Sequence, residues 1–450
     1  MVMPGVGGTW GCVVFLWVVV QGLSMAAWGA YGGGRGTAED PYLIFTADQV
    51  DALGTRPGDW DKYFLLMADI DLAGSGEPEF HRIGTPEDGP FTGTFDGNCR
   101  TISNLHWSSE WKRYLGLFGL VDGEQARIAN LTLVDPNIAV EVGQYIGALA
   151  GFIRTGTIIN CHVRGGTIRG ETCVGGLVGT KENATVSDCT ADVTVQGVTR
   201  VGGLVGHSYW GLTARCDAAG TATGGSEMEH YGVGGLIGHS QYGVVSECHA
   251  KCTTRCNRYV GGLIGVNHLT AVRRSWAEGV ARGEQCIGGL IGQNEGGVIT
   301  DCYALTDVHG LAFLGGLVGY NTSDCQCTTH TSGLVDRCFA AGPVGGMADI
   351  GGVVGINNQG ETAHSFWDVQ TTACARSAGG DPKTTAQMQD VSTFLAAGWD
   401  FVDEKANGIE DIWCMSVLTG YPRLAWQVET TDVDVDAADP NEPQTPPVHE

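Results

Sequence analysis

The stretch VGGLVG, residues 174–179, decides the fold, because close copies of it return along the middle of the chain. The motif Gly-Gly-Leu-(Val/Ile)-Gly begins again at Gly202, Gly234, Gly261, Gly288 and Gly315, with variants at Gly116, Gly147 and Gly351. The commonest spacing between copies is 27 residues, and longer spacings contain insertions. A fixed period of this length indicates a repeat architecture in which each unit packs on its neighbours.

A column of small residues recurs fourteen positions after the first glycine, or at the equivalent position of the unit with an insertion. Its cysteines are Cys161, Cys189, Cys216, Cys248, Cys302 and Cys338. A polar residue precedes this column and a small or apolar one follows two positions later, as Asp188 and Ala191 do around Cys189. This alternation predicts a strand with Cys and Ala pointing inward, and the aliphatic residue before each glycine pair predicts a second strand.

Asparagine or serine occupies the sixth position after the first glycine in six units. These residues are Ser208, Ser240, Asn267, Asn294, Asn321 and Asn357. Because asparagine tolerates left-handed backbone and bonds its own turn, this column predicts a corner. Short strands and a corner in each unit, without a helical period, predict an all-β fold: a parallel β-helix (β-solenoid) of about nine 27-residue coils.

The segments outside the repeats differ in composition and divide the chain into five parts. We predict a signal peptide over residues 1–30, an N-terminal cap with the first coil over 31–112 and the repeat solenoid over 113–365. A C-terminal cap with a short helix follows over 366–426, and a disordered acidic tail over 427–450. The signal is predicted from the apolar run Cys12 to Val20, although no Lys or Arg precedes it. Thr384 and Gln387 predict a capping box that opens the short helix.

The repeated units resemble the GLUG motif. The sequences at residues 69–72 (DIDL) and 95–98 (FDGN) resemble the leader that precedes such repeats, and those at residues 366–368 (FWD) and 383–388 (KTTAQM) resemble their closing segment. The resemblance covers roughly residues 35–426 and implies an exported or cell-surface bacterial protein. It carries over no catalytic residues. Some members of the family attach the repeats to a protease domain, and we expect none in this sequence.

Charge and hydropathy restrict the partners. The formal net charge of −25 argues against nucleic acid and anionic membrane surfaces, because both would repel the chain. No second apolar stretch is long enough for an anchor, so no membrane span is expected after removal of the signal.

Sixteen cysteines in an exported chain raise the question of disulfides. Stacked cysteines would be held at the coil spacing, which is longer than disulfide geometry prefers, so the column is predicted to be a structural ladder of buried free thiols. Cys252 with Cys256 and Cys325 with Cys327 lie off the column and are better disulfide candidates. Cys325, Cys327 and His330 offer three zinc ligands without an evident fourth, so no metal site is predicted.

No catalytic residue and no cofactor are predicted. The pairs His207-Ser208 and His239-Ser240 lack the Gly-x-Ser-x-Gly context of a hydrolase nucleophile, and the sequence contains no His-Glu-x-x-His. β-Helix folds also support polysaccharide lyases and hydrolases, whose sites need clustered carboxylates or calcium with a base on one face. A carbohydrate-active enzyme therefore remains the alternative function.

One outward column carries an aromatic ring on each of four coils, at Trp276, Tyr303, Phe339 and Phe366. These rings could bind sugars by stacking, or they could stack on one another beneath the C-terminal segment, which the sequence favours slightly. The leading hypothesis is an exported, non-catalytic scaffold for adhesion to a glycan or a surface protein. The insertions near Ser226 to Tyr231 and Thr322 to Thr331 are the expected contact loops, since insertions in repeats map to loops.

Overall fold

The computed structural model describes residues 30–73, 80–225, 232–324 and 331–427, with the side chains of residues 109–111 left aside. Over these residues the chain is a parallel β-solenoid, as the repeat predicted. The predicted signal peptide and acidic tail fall almost entirely outside the described residues. No described helix is long and apolar enough to cross a membrane.

One coil shows the plan of all the repeats. Strands at the same position in successive coils form a row. In this coil Thr172–Gly175 belongs to the first row, Val178–Lys181 to the second, Ala184–Ser187 to the third and Thr190–Gln196 to the fourth. Strands of the second row form a sheet of nine, and the other rows belong to a sheet of 33 strands. This coil therefore has four short strands, more than the sequence pattern predicted.

The strands of the repeats follow these four rows. The first row contains Thr172–Gly175, Thr199–Gly202, Val233–Gly234, Arg258–Gly261, Gln285–Gly288, Ala312–Gly315 and Ala348–Gly351. The second row contains Phe118–Val121, Ala150–Ile153, Val178–Lys181, Val205–Tyr209, Ile237–Gln241, Ile264–His268, Ile291–Glu295, Val318–Thr322 and Val354–Asn358. The third row contains Gly156–Ile159, Ala184–Ser187, Leu212–Ala214, Val244–Ser246, Ala271–Arg273, Val298–Thr300, Leu334–Asp336 and Glu361–Ala363. The fourth row contains His162–Arg169, Thr190–Gln196, Asp217–Thr223, His249–Arg255, Trp276–Arg282, Tyr303–Ala304, Asp307–His309, Phe339–Ala340, Val344–Gly345 and Phe366–Asp368.

The glycine pair lets neighbouring coils touch through their backbones. A Cβ atom on Gly175 would lie 2.0 Å from the carbonyl oxygen of Val178, and one on Gly176 would lie 2.1 Å from that of Gly203 on the next coil. No residue with a side chain fits such a gap without moving the backbone. The buried Leu177 that follows donates its N–H to the carbonyl of Leu204, at 2.9 Å. The motif is therefore the tightest contact of the coil.

The cysteine column lies at a corner rather than within a strand, which corrects the predicted alternation. The third-row strand ends at Ser187 and the fourth-row strand begins at Thr190. Between them Asp188 has a left-handed backbone with φ 56°, and equivalent residues such as Arg215 and Asp301 share it. The chain turns at this polar residue, so the next side chain, Cys189, points into the core.

The asparagine column is a buried ladder within the second row, not the left-handed corner that was predicted. Asn267 donates from Nδ2 to Oδ1 of Asn294 at 2.7 Å, and Asn294 donates likewise to Asn321 at 2.8 Å. Asn294 Nδ2 also donates to the carbonyl of Gly297, three residues on, at 3.0 Å. In this inward position each amide can form hydrogen bonds both to the next coil and to its own turn, so the buried polar groups are paired.

Both ends of the solenoid carry irregular structure. The N-terminal strands are Tyr42–Ile44, Tyr63–Leu66, Ile70–Asp71, Thr94–Ser103, His106–Leu115, Arg127–Val134 and Asn137–Ile146, with the helix Ala47–Gly54 and the 3₁₀ helix Pro57–Asp59. At the other end lie Asp381–Lys383, the helices Thr385–Met388 and Val391–Leu395, the antiparallel pair Trp413–Met415 and Pro422–Leu424, and the 3₁₀ helix Ala425–Gln427. The capping box of Thr384 and Gln387 is confirmed. The predicted single helix is two short ones, because Asp390 caps a new helix by accepting from Ser392 N.

Two hydrophobic cores result. The larger runs inside the coils and contains registered columns, such as Ala191, Ala218, Ala250, Ala277, Ala304 and Ala340. The smaller lies outside the fourth row, between that row and the C-terminal segment. The aromatic residues of the fourth row that belong to this smaller core are covered by the C-terminal segment.

Candidate ligand-binding surface

The six cysteines of the ladder are all buried and face the core. Their thiols donate to nearby backbone carbonyls, as Cys189 does to Ser187 at 3.1 Å. Burial raises the pKa of the Cys161 thiol to about 12, so this thiol is protonated and unreactive near neutral pH.

No disulfide is found among the described cysteines, so the candidate pair Cys252 and Cys256 is not bonded. Cys252 points into the core from a fourth-row strand, whereas Cys256 lies in the next turn and donates to the carbonyl of Gly225 at 3.2 Å. The two thiols therefore serve different contacts. Cys325, Cys327 and His330 lie outside the described residues.

The aromatic column at Trp276, Tyr303, Phe339 and Phe366 stacks along the coils. Trp276 and Tyr303 have ring centroids 5.2 Å apart at 15°, and Tyr303 and Phe339 are 5.0 Å apart at 3°. His249 extends the stack below Trp276, at 3.7 Å and 10°. Successive coils thus pair the rings face to face.

The C-terminal segment covers most of this column, the arrangement that the sequence slightly favoured, so three of the four rings are not the ligand-binding surface that was also predicted. Tyr303, Phe339 and Phe366 are at most 3% exposed. Trp399 and Trp413 pack on Phe339 at 6.4 and 6.2 Å, and the indole of Trp399 donates to the carbonyl of His364 at 2.9 Å. A sugar ring has no access to these three side chains, and Trp276 at the open end is half-buried.

A different set of rings is open to solvent. We name Tyr209, Trp210 and Tyr242 the aromatic corner, because they lie where the second row turns toward the third on two successive coils. Trp210 is 48% exposed and stacks on Tyr242 at 5.2 Å and 19°, while Tyr209 meets the same ring edge-on at 5.6 Å and 88°. The arrangement is a platform of adjacent rings at the surface.

The backbone presents this platform through left-handed residues. Trp210 has φ 59° and Tyr242 has φ 57°, and each precedes a glycine. The two turns are tied by the N–H of Trp210, which donates to the carbonyl of Gln241 at 2.8 Å. Sequence analysis missed the pair, although an aromatic residue directly before glycine in consecutive units was a visible signal.

A polar row runs beside the aromatic corner along the outer face of the second row. His207 Nε2 lies 2.9 Å from Gln241 Oε1, and Gln241 Nε2 lies 3.2 Å from His268 Nδ1. Burial lowers the pKa of His207 to about 4, and burial also holds the pKa of His239 well below its ordinary value. These two imidazoles are therefore neutral near pH 7 and act as hydrogen-bonding groups.

The adjacent serines do not form a hydrolase site. Ser208 and Ser240 are at most 2% exposed and lie in the asparagine column, with their side chains inward. His207 and His239 point to the opposite face of the same strands. Alternation along the strand thus separates each histidine from its neighbouring serine.

A second open surface lies where the fourth row ends. Arg255, Arg282 and His309 occupy registered positions on three successive coils and line a groove of about 550 Å³, which we name the arginine groove. Within the described residues neither arginine makes an ion pair, while His309 pairs with Asp307 at 2.9 Å. Two unpaired guanidinium groups in a chain with 50 acidic and 25 basic residues suit an anionic ligand.

The fold and its registered columns define the chain as a parallel β-solenoid repeat protein. More particularly, residues 170–196 and 283–308 match the family model described as the GLUG motif, so the predicted resemblance is confirmed.

Two relatives are about one third identical to parts of this chain over the aligned regions. Halomucin of Haloquadratum walsbyi is 33% identical over 169 residues, which is 36% of this chain and 2% of halomucin. The "Putative Gly-rich membrane protein" of Evansella cellulosilytica is 33% identical over 145 residues, 31% of this chain and 16% of that protein. The chain therefore matches only a small part of either relative.

Among solved structures, a "putative immunoglobulin A1 protease" from Bacteroides ovatus is similar at TM-score 0.45 and 18% identity. The match covers 88% of this chain and 96% of that one.

Proposed function

We propose that the protein is an exported, non-catalytic scaffold that binds a glycan at the aromatic corner. The observation that carries the proposal is the exposed stack of Trp210 on Tyr242, 5.2 Å apart. Tryptophan and tyrosine rings combine a large apolar face with a polar edge, which matches the faces and hydroxyls of a sugar.

The polar row supplies the complementary hydrogen bonds. His207 and Gln241 lie on the same face and the same coils as the rings, one or two residues before them along each strand. Amide and neutral imidazole groups bond sugar hydroxyls without the cost of desolvating a charge. The corner thus combines stacking with uncharged polar contacts.

The names of the relatives support a location outside the cytoplasm. One is a halomucin and the other is called a membrane protein. The apolar run at residues 12–20 supports the same location as an export signal.

A glycan array comparing the native chain with Trp210→Ala and Tyr242→Ala tests the proposal. We expect a bound glycan whose affinity falls roughly tenfold in either variant, about 1.4 kcal/mol, because one stacking face is lost. Trp426→Ala is the matched control, since Trp426 is 41% exposed and lies far from the corner in the sequence. Unchanged binding by Trp210→Ala would remove the proposal.

The same bound glycans, incubated with the native chain and assayed for new reducing or unsaturated ends, separate binding from turnover. We expect binding without products. Product formation would favour the alternative function, a carbohydrate-active β-helix enzyme.

A further inference from the structure

Three side chains from successive coils meet at one end of the polar row. His268, Glu295 and Asp324 each offer one nitrogen or carboxylate oxygen, and these atoms all lie within 4.8 Å of one another. His268 Nε2 is 3.8 Å from Asp324 Oδ1. Donor atoms that each lie about 2.0–2.2 Å from one ion are at most about 4.4 Å apart, so small side-chain movements bring these three atoms around a common ion.

The fold places each of these residues by a different contact. His268 and Glu295 are registered partners on adjacent second-row strands, and Glu295 is paired in turn with Thr322. Asp324 follows two residues after Thr322, and its N–H donates to the carbonyl of Thr331 at 2.9 Å. That hydrogen bond closes the base of the insertion and holds Asp324 beside the other two.

Burial makes this juxtaposition costly without a bound cation. His268 is 6% exposed, and its Nε2 atom has no hydrogen-bond partner although it faces the carboxylates. Asp324 is fully buried and Glu295 is half-buried. A cation bound between the two carboxylates and the imidazole nitrogen would offset this cost.

We infer that His268, Glu295 and Asp324 bind one divalent first-row transition-metal ion. One imidazole nitrogen and two carboxylate oxygens form the donor set that zinc and its neighbours accept, and three protein ligands leave positions for water or a ligand. The inference stands on these three residues and does not depend on glycan binding at the aromatic corner.

Gln241 orients the histidine. Metal binding through Nε2 requires a proton on Nδ1, which then donates to the amide oxygen of Gln241. The amide nitrogen of Gln241 then donates to His207 Nε2. This arrangement exchanges the amide oxygen and nitrogen of Gln241 and keeps its contacts with His207 at 2.9 Å and with His268 at 3.2 Å. The polar row is therefore the outer support of the metal ligand.

Titration of the full chain with Co²⁺, followed by calorimetry and visible absorption, tests this site. We expect one high-affinity Co²⁺ per chain, with ligand-field bands of nitrogen and oxygen ligands and no thiolate-to-cobalt charge-transfer band. His268→Ala and Glu295→Gln should each weaken binding more than about tenfold, and Gln241→Ala roughly tenfold. Glu284→Gln, an exposed carboxylate in the arginine groove, is the control that keeps full affinity.

Glu295 is half-buried and its replacement by glutamine is nearly isosteric. Glu295→Gln therefore tests metal binding even if His268→Ala fails to fold. Absence of Co²⁺ binding, a thiolate charge-transfer band, or unchanged affinity in Glu295→Gln would each overturn the inference.

Discussion

The covered aromatic column and the aromatic corner both contain stacked rings, but the rings of the column are buried and those of the corner reach the surface. Ring centroids of Tyr303 and Phe339 are 5.0 Å apart, and those of Trp210 and Tyr242 are 5.2 Å apart. Yet Phe339 is fully buried and Trp210 is 48% exposed. The coil repeat therefore creates aromatic ladders, and the C-terminal segment decides which of them becomes core.

The largest expected effect comes from opening the covered column. Trp399→Ala removes an indole that packs on Phe366 and Trp413 and donates to the carbonyl of His364. We expect the free energy of unfolding of the C-terminal segment to fall by about 3–5 kcal/mol, as for other buried Trp→Ala changes. Urea unfolding followed by tryptophan fluorescence measures it.

Trp210→Ala is the matched change on the open surface. It should alter the free energy of unfolding by no more than about 0.5 kcal/mol, because exposed side chains contribute little. Equal losses in the two variants would contradict the distinction between covered and open ladders.

The next effect concerns the lysine beneath the aromatic corner. Lys181 is fully buried, and its Nζ donates to the carbonyls of Ala184 and Trp210 at 3.0 and 2.8 Å. Burial lowers its pKa from 10.5 to about 7. Between these values the unfolded chain carries a proton that the folded chain lacks, so this group makes stability rise with pH across that window, and its contribution levels off below pH 7.

Lys181→Met keeps an unbranched side chain, one atom shorter, and removes the charge. The variant should lose a pH-dependent contribution on the order of 5 kcal/mol between pH 7 and 10.5. Unfolding free energies of both proteins at several pH values in this window measure the difference. Parallel pH profiles would show that Lys181 keeps an ordinary pKa.

A smaller effect is expected in the asparagine ladder. Asn294→Ala removes the hydrogen bonds to Gly297 and Asn321 and leaves buried acceptors unpaired. We expect a loss of about 1–3 kcal/mol in the free energy of unfolding. Asn358→Ala, an exposed asparagine on the last second-row strand, is the control and should change it by less than about 0.5 kcal/mol.

The period of the glycine pair was sufficient to predict the solenoid, because the pair marks a contact between neighbouring coils where a Cβ atom cannot fit. The local shape of the coil was harder to predict. A polar residue before Cys189 is compatible with an alternating strand and with a left-handed corner. Asn294 is likewise compatible with a turn and with a ladder of inward-pointing side chains. Only the backbone φ values and the registered partners separate these alternatives.

The candidate site was mostly beyond sequence analysis, since exposure depends on contacts distant along the chain. Nothing near Phe339 in the sequence reveals that Trp399 and Trp413 cover it. Likewise His268, Glu295 and Asp324 fit no ligand motif, because their spacing reflects the coil period and an insertion. The structure covers three of the four rings of the column, and sugar binding at any ring stays a prediction.

Hydroxyl-radical footprinting of the native chain with mass spectrometry tests the central distinction most directly. The account predicts rapid oxidation of Trp210, with Phe339, Trp399 and Trp413 protected until the chain unfolds. Oxidation of Phe339 and Trp399 at the rate of Trp210 would contradict it.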